Sequence, residues 1–316
     1  MIILAVLAAV SIILYVDILR RSFRRFFRAL RKGRKAYLFL APSLLLILIF
    51  CYYPIFTAFM YSFTNFRLSQ PLEFIGLKNY SDMLKDPYFF PSMKNMLYIV
   101  LTSILKDLTM PLLVAELVFW LKNQRHKYLL RTAFVVPSIV PGMVVTLMWR
   151  MFYEPNIGLV NQLIQLFTGQ PFQKGWLGDE RLAIWSVIFS GFPWISIFAF
   201  LVYFGGLINI SRDIYESAQL DGIRPMRRFL SIDKPMLRYQ FRLVIFFSFL
   251  GSVQTYSDIY VLTQGGPGHA TYVPALQMFM QISQGANFGY ASALGVVLFL
   301  IVMIGTGINF AVNKEE

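Results

Sequence analysis

The chain has 316 residues, 57% hydrophobic and only 14% charged, with 31 Phe, a formal charge of +13 and a mean hydropathy of +0.59. A soluble domain carries charge at about a quarter of its positions, so this composition excludes an ordinary water-soluble fold. A nucleic-acid binder is excluded by where the charge falls, because Lys and Arg border apolar runs instead of forming one stripe with interleaved aromatics.

In chain order, the first apolar stretch is MIILAVLAAVSIILYVDIL, followed by the basic cluster RRSFRRFFRALRKGRK. A signal peptide carries its positive region first. Residues 1–35 therefore read as an N-terminal apolar helix and a basic cytoplasmic segment, the helix either a further span or an interfacial element. Six longer runs follow, at 37–63, 93–121, 128–152, 182–208, 240–263 and 290–312. Each can cross a hydrocarbon core of about 30 Å. None alternates as a closed barrel requires. The expected fold class is all-α: a polytopic helical membrane protein with six transmembrane helices, an extra N-terminal one, and short cytoplasmic helices, with residues 36–316 forming one transmembrane domain. Cys51, the single cysteine, can make neither an internal disulfide nor a paired-Cys metal site.

Lys and Arg set the orientation. With 20–35 cytoplasmic, the inner segments hold 21 of the 29 basic residues and the outer segments 7. This positive-inside bias puts the C-terminus and the loop around 215–235 in the cytoplasm. The outer segments 64–92 and 153–181 are rich in Pro, Gly, Asn and aromatic residues, which predicts short helices and turns at the outer face. GGPGHAT, 265–271, is expected as a turn outside the membrane.

The connector YESAQLDGIRPMRRFLSIDKP, 215–235, packs seven charges and two prolines between apolar runs. Ser211 can cap a short helix, and Gly222 suits the left-handed residue that closes it. Pro225 suits the first turn of a second helix, which Pro235 stops. Ser217 and Ala218 are expected to present a small-residue face, Met226, Phe229 and Leu230 an apolar stripe, and Arg224, Arg227 and Arg228 the remaining surface. Such a loop either lies on membrane lipid headgroups or docks a soluble partner, with Glu216 offered for an ion pair.

ESAQLDGIRPMRRFLSIDKPML resembles the EAA loop, E-A-A-x-x-D-G-A-x(4)-F-x-x-I-x-x-P-x-L, of permease subunits in binding-protein-dependent ABC importers. LFLAPSLLLILIF, SDIYVLTQGGPGHAT and FGYASALGVVLFLI resemble its sugar and oligosaccharide branch. The resemblance implies a coupling loop at 211–238 that docks a cytoplasmic ATPase through Glu216, Ser217, Ala218, Asp221, Gly222 and Arg224, with Phe229, Ile232 and Pro235 shaping the second helix. Ser217 stands where the family has its first alanine, Lys234 where it has Leu, and Arg238 where it has a second proline. The resemblance further implies a second homologous permease, two ATPase subunits, an extracytoplasmic solute-binding protein, and a carbohydrate substrate, acidic ones included, all at a bacterial cytoplasmic membrane. The chain lacks GxxxxGK[ST], so ATP and Mg are expected on the ATPase subunits, with no cofactor, metal or catalytic residue on this chain.

Ionisable residues inside spans mark candidate pathways. Gly251, Gln254, Thr255 and Asp258 share a helical face by spacing, and with Tyr256 and Tyr260 they suit a sugar's hydroxyls and ring faces. The plain alternative has Asp258 satisfying the Gly-rich turn. Lys106 and Asp107 either line the pathway or, with Glu116, pair with the partner permease, Glu116 being free to reach the surface. Trp194 lies at the Gly191–Pro193 break and is expected in the cavity, whereas Trp149 and Trp185 suit an interfacial belt. Asn95 reads as a helix cap, and His126 and His269 as solvated. The rival functions are a secondary carrier driven by an ion gradient and a membrane enzyme acting on lipid-linked sugars. The first predicts inverted repeats and ion-coordinating broken helices, neither of which is visible in the sequence. The second needs a convergent acid/base set, which Asp107, Glu116 and Asp258 look too scattered to form.

Overall fold

The computed structural model describes residues 34–68 and 70–312, so the N-terminal helix expected within 1–35 lies outside the described residues. These fall into two compact units divided after Thr57. In the first, α1 (Arg34–Ile47) passes through a wide π-type turn, Leu48–Tyr52, into the start of α2 (Tyr53–Tyr61), which crosses the division. The wide turn precedes Pro54, which has no N–H to give and whose ring would crowd a regular α-turn.

The second unit is helical throughout, and among the described residues extended pairing is limited to isolated bridges, Thr64 with Phe74 and Arg67 with Asn287. After α3 (Lys78–Lys85), the long α4 (Phe89–Phe119) forms the axis, against which α9 (Ile197–Ile208) and α13 (Arg238–Val253) pack. Between α4 and α9 lie α5 (Gln124–Val135), α6 (Gly142–Phe152), α7 (Leu159–Thr168) and α8 (Ala183–Phe189). The connector holds α10 (Arg212–Leu220), α11 (Pro225–Arg228), a π-turn at Phe229–Asp233 and α12 (Lys234–Met236). Beyond α13 come α14 (Ser257–Thr263), α15 (Pro274–Ser283) and α16 (Phe288–Val312).

Among the described residues, three helices are long and apolar enough to span a bilayer alone: Tyr37–Tyr61, Phe89–Phe119 and Phe288–Asn309. The other three runs drawn from the sequence are broken. The run at 128–152 turns by 89° where Val140 and Pro141 interrupt the helix. The run at 182–208 opens between α8 and α9, where Gly191 and Trp194 take positive φ of 81° and 57°. In the run at 240–263, α13 stops at Val253 although neither Pro nor Gly follows directly. There Ser252 Oγ donates back to the Ser248 carbonyl, a side-chain bond that competes with the helical ladder. Helix α15, which lies within an expected outer loop, packs against α16.

The core around α4, α9 and α13 includes Ala115, Val118, Phe200, Tyr203, Leu207 and Leu237. Between membrane helices close packing replaces the water-driven effect, so small residues matter. A Cβ on Gly206 would lie 2.5 Å from Leu237 Cδ2 and 2.8 Å from the Gln240 side chain, which is how closely α9 approaches the start of α13. At the end opposite the connector, Asp86 accepts from Gln277 Nε2 (2.6 Å) and Tyr290 Oη (2.9 Å). This carboxylate ties the α3–α4 turn to α15 and α16.

Candidate functional site: the connector and the cavities of the bundle

The connector folds as its punctuation dictates. Ser211 Oγ accepts from the Asp213 N–H at 3.3 Å, satisfying a free donor of the first turn of α10. At the other end Gly222 has φ +66°. Ile223 N–H then bonds Ala218 O (3.1 Å) and Gly222 N–H bonds Gln219 O (3.0 Å), the paired closure of a Schellman motif. Pro225 opens α11 behind Arg224. Pro235 sits inside α12, and the chain bends by 69° into α13.

This geometry sorts the expected docking residues. Glu216, Ser217, Asp221, Gly222 and Arg224 are exposed, and Leu220 beside them is 91% exposed. Met226 and Leu230 are also exposed. Ala218 is buried at 6% exposure, so the small-residue face shared by Ser217 and Ala218 does not exist. The helix turns Ala218 and Tyr215, three positions apart, inward together.

Arg228 corrects a second expectation. It leaves the surface to stand 3.4 Å over the Trp120 ring. Its Nε donates to Asp233 Oδ2 at 3.1 Å, and its Nη2 lies 4.0 Å from Glu116 Oε2. Asp233 is fully buried and also accepts from Tyr215 Oη at 2.8 Å. Burial, then the Asp233 carboxylate, pushes the Tyr215 phenol well above its ordinary value, so it stays a donor. Glu116 takes the Trp120 indole N–H at 3.1 Å. Its side chain is turned inward instead of reaching the surface, with a cation of its own chain at 4.0 Å. Sequence reasoning missed Trp120, Tyr215 and Asp233, because residues 119–120 and 215–233 meet only in the folded chain.

Higher in the bundle, a polar cavity of about 360 Å³ is lined by Lys106, Asp107, Asp258, Thr255, Gly251 and several serines. Asp107 and Asp258, scattered in the sequence, thus share one chamber. Asp258 Oδ1 accepts from Thr146 Oγ1 at 2.6 Å, a bond across two helices and not to the Gly-rich turn. Lys106 Nζ donates to the Ile188 carbonyl and stands 5.1 Å from the Trp194 ring centre. Lys106 and Trp194 both border a second, apolar cavity of about 780 Å³, whose wall includes Trp176, Trp185 and Phe189.

The break after Val253 splits the expected helical face. Gly251, Thr255 and Asp258 line the polar cavity, whereas Gln254 is exposed and donates to Leu250 O (3.1 Å). Tyr256 and Tyr260 turn away to pack on Phe279 at 5.1 and 5.2 Å, inside an apolar cluster. Trp149 packs on Phe152, Tyr153 and Phe189, and Trp185, half exposed, borders the apolar cavity.

The GGPGHAT turn is held from below. Asn95 is buried and donates to the carbonyls of Ala270 (3.0 Å) and Tyr272 (2.9 Å), a clamp and not a helix cap. His269 stacks on Tyr88 at 3.8 Å. In the 153–181 segment, Asn161 accepts the Trp176 indole N–H (2.7 Å), and a hydrogen bond from Lys174 holds the Asp179 carboxyl below its usual range.

Residues 108–315 match the family described as binding-protein-dependent transport system inner membrane component. Among curated relatives, the probable ABC transporter permease protein YurN of Bacillus subtilis is 31% identical over 285 residues, covering 89% of this chain and 97% of the relative. The sulfoquinovosyl glycerol transport system permease protein SmoG of Agrobacterium fabrum is 29% identical, covering 89% of this chain and 91% of its own. A chain in the crystal structure of a bacterial ABC transporter that imports the acidic polysaccharide alginate superposes with a TM-score of 0.77 at 21% identity, over 92% of this chain and 100% of its own. At that identity the likeness concerns the fold. With a family match across most of the chain, and apolar helices of spanning length, this protein is a multi-pass membrane protein of the binding-protein-dependent transport system inner membrane component family.

Proposed function

We propose that the chain is a permease subunit of an ATP-driven ABC importer for a sugar or oligosaccharide. The observation that carries this reading is the connector: a short capped helix, closed by left-handed Gly222, that offers Glu216, Ser217 and Leu220 outward within the family region. A cytoplasmic ATPase seats on that helix, Glu216 meeting a basic group in its cleft. ATP and Mg belong to the ATPase. A second permease completes the pathway and an extracytoplasmic binding protein delivers the solute. Closure of the ATPase pair moves the docked helices and switches the bundle between outward- and inward-open states.

Carbohydrate as cargo is supported by relatives named for arabinooligosaccharides, sulfoquinovosyl glycerol and diacetylchitobiose. The cavities suit it. Carboxylates of Asp107 and Asp258 and the Thr255 hydroxyl can take sugar hydroxyls, while Trp194 presents a ring face. Lys106 beside Trp194 offers a cation to acidic members of the class.

The test is Glu216→Lys and Gly222→Pro in the reconstituted importer. Pro fixes φ near −65° and cannot adopt the left-handed turn. Both variants are expected to insert normally, while uptake falls by about tenfold or more and ATP hydrolysis stops answering loaded binding protein, a coupling loss of the usual allosteric size. Wild-type stimulated turnover in both would overturn the assignment.

A further inference from the structure

The connector has two covalent routes into the bundle, and both are bends. It leaves α9 through a 71° break and enters α13 through a 69° break. Bent junctions hinge, so by themselves they transmit motion poorly. A third, non-covalent route crosses to α4, which no loop joins to the connector directly.

We propose that Arg228 is a positioning residue for energy coupling, fastening the connector to the axial helix α4 through Glu116 and Trp120. The arrangement draws on three elements. Asp233, fully buried, gathers Tyr215 from α10 and Arg228 from α11 at 2.8 and 3.1 Å. Arg228 then reaches α4's end, with its guanidinium 3.4 Å over Trp120 and Nη2 4.0 Å from Glu116. Trp120 closes the loop, bonding Glu116 and meeting the Tyr215 ring edge-on at 5.0 Å. Displacing α10 therefore pulls on α4. Glu116 and Lys106 lie ten residues apart on that helix, about 15 Å along its axis. The same continuous helix, with Pro111 between the two points, thus carries the clasp near its end and the cavity wall further along.

The chemistry demands Arg in particular. A planar guanidinium can stack on an indole while donating sideways to two carboxylates, which a Lys ammonium cannot do. Buried carboxylates left without their cation are strongly unfavourable, so Arg228→Ala is a poor probe. Better probes keep the fold: Arg228→Lys retains charge without the fork, Asp233→Asn retains shape and the Tyr215 bond, and Trp120→Phe retains a ring without the N–H.

The inference rests on the docking reading, and the experiment separates the two. In the full importer, with its ATPase, second permease and binding protein in liposomes, three quantities are read: ATPase subunit retained, ATP hydrolysed, and ATP consumed per solute moved. Arg228→Lys, Asp233→Asn and Trp120→Phe are expected to keep the ATPase bound and active while ATP per solute rises by about fivefold or more. A merely structural role would lower assembly or the thermal midpoint and leave that ratio at the wild-type value in the assembled fraction, which overturns the proposal. Loss of the ATPase from these variants also overturns it, since the cluster would then shape the docking face. Failure of the docking reading shows elsewhere, as Glu216→Lys complexes that remain attached and coupled.

Discussion

Asn95 lies within a span, and its amide has two carbonyls to satisfy, those of Ala270 and Tyr272. Those acceptors are 175 and 177 residues away in sequence, so no local pattern could announce the clamp. The same holds for Glu116 with Arg228, and for Asp258 with Thr146. What was legible at this scale is what acts within a few residues: the Ser211 cap, the left-handed Gly222 and the Pro225 start all appear where their chemistry puts them. Removing the Asn95 amide strands two part-buried carbonyls, at about 1–3 kcal/mol for the lost partner. Asn95→Ala is therefore expected to lower the thermal unfolding midpoint in detergent by several degrees and to reduce uptake, while ATP consumed per solute stays at the wild-type value. An unchanged midpoint would remove the clamp from the account.

At the scale of elements, apolar runs located helices well and their interruptions poorly. Pro141 and the Gly191–Trp194 stretch signal breaks that a hydropathy reading smooths over. The stop at Val253 carries no Pro or adjacent Gly, and its cost falls on the pathway face: Gly251, Thr255 and Asp258 reach the cavity, but Gln254, Tyr256 and Tyr260 leave it. Of the four positions aligned on an ideal helix, three therefore reach the cavity and Gln254 does not. Helix pairing yields a sharper test. Gly206 meets Leu237 and Gln240 where a methyl group has no room, whereas Gly205 has open space at the same site. Gly206→Val should lower stability by about 1–3 kcal/mol through overpacking. Gly205→Ala should leave it unchanged or raise it by up to about 1 kcal/mol through helix propensity. Chemical or thermal unfolding of the two variants side by side decides this, and equal midpoints would refute the close approach of α9.

For the whole molecule, class was legible early. Composition, continuous apolar runs and the spacing of the connector motif pointed to a helical permease, and the family match agrees. The chambers were not legible, because Lys106, Asp107 and Asp258 converge only once α4, α13 and α14 are packed. The orientation expected from the Lys and Arg distribution is open to a direct check. With Cys51 replaced by Ala, a single cysteine at the highly exposed Leu220 should react with an impermeant maleimide in inverted vesicles from cells that make the chain without its ATPase, and stay unlabelled in intact cells. Labelling of intact cells would reverse the topology and with it the docking reading.

Leu220, Met226 and Leu230 stand uncovered on the connector, which the proposed docking would set against a neighbour. A polypeptide made in excess of its companions would show this sticky patch to the cytosol, the kind of surface that housekeeping proteases and chaperones recognise. Unassembled copies should accordingly be short-lived, so the stoichiometry of the importer would be policed by degradation of surplus subunits as well as by matched synthesis.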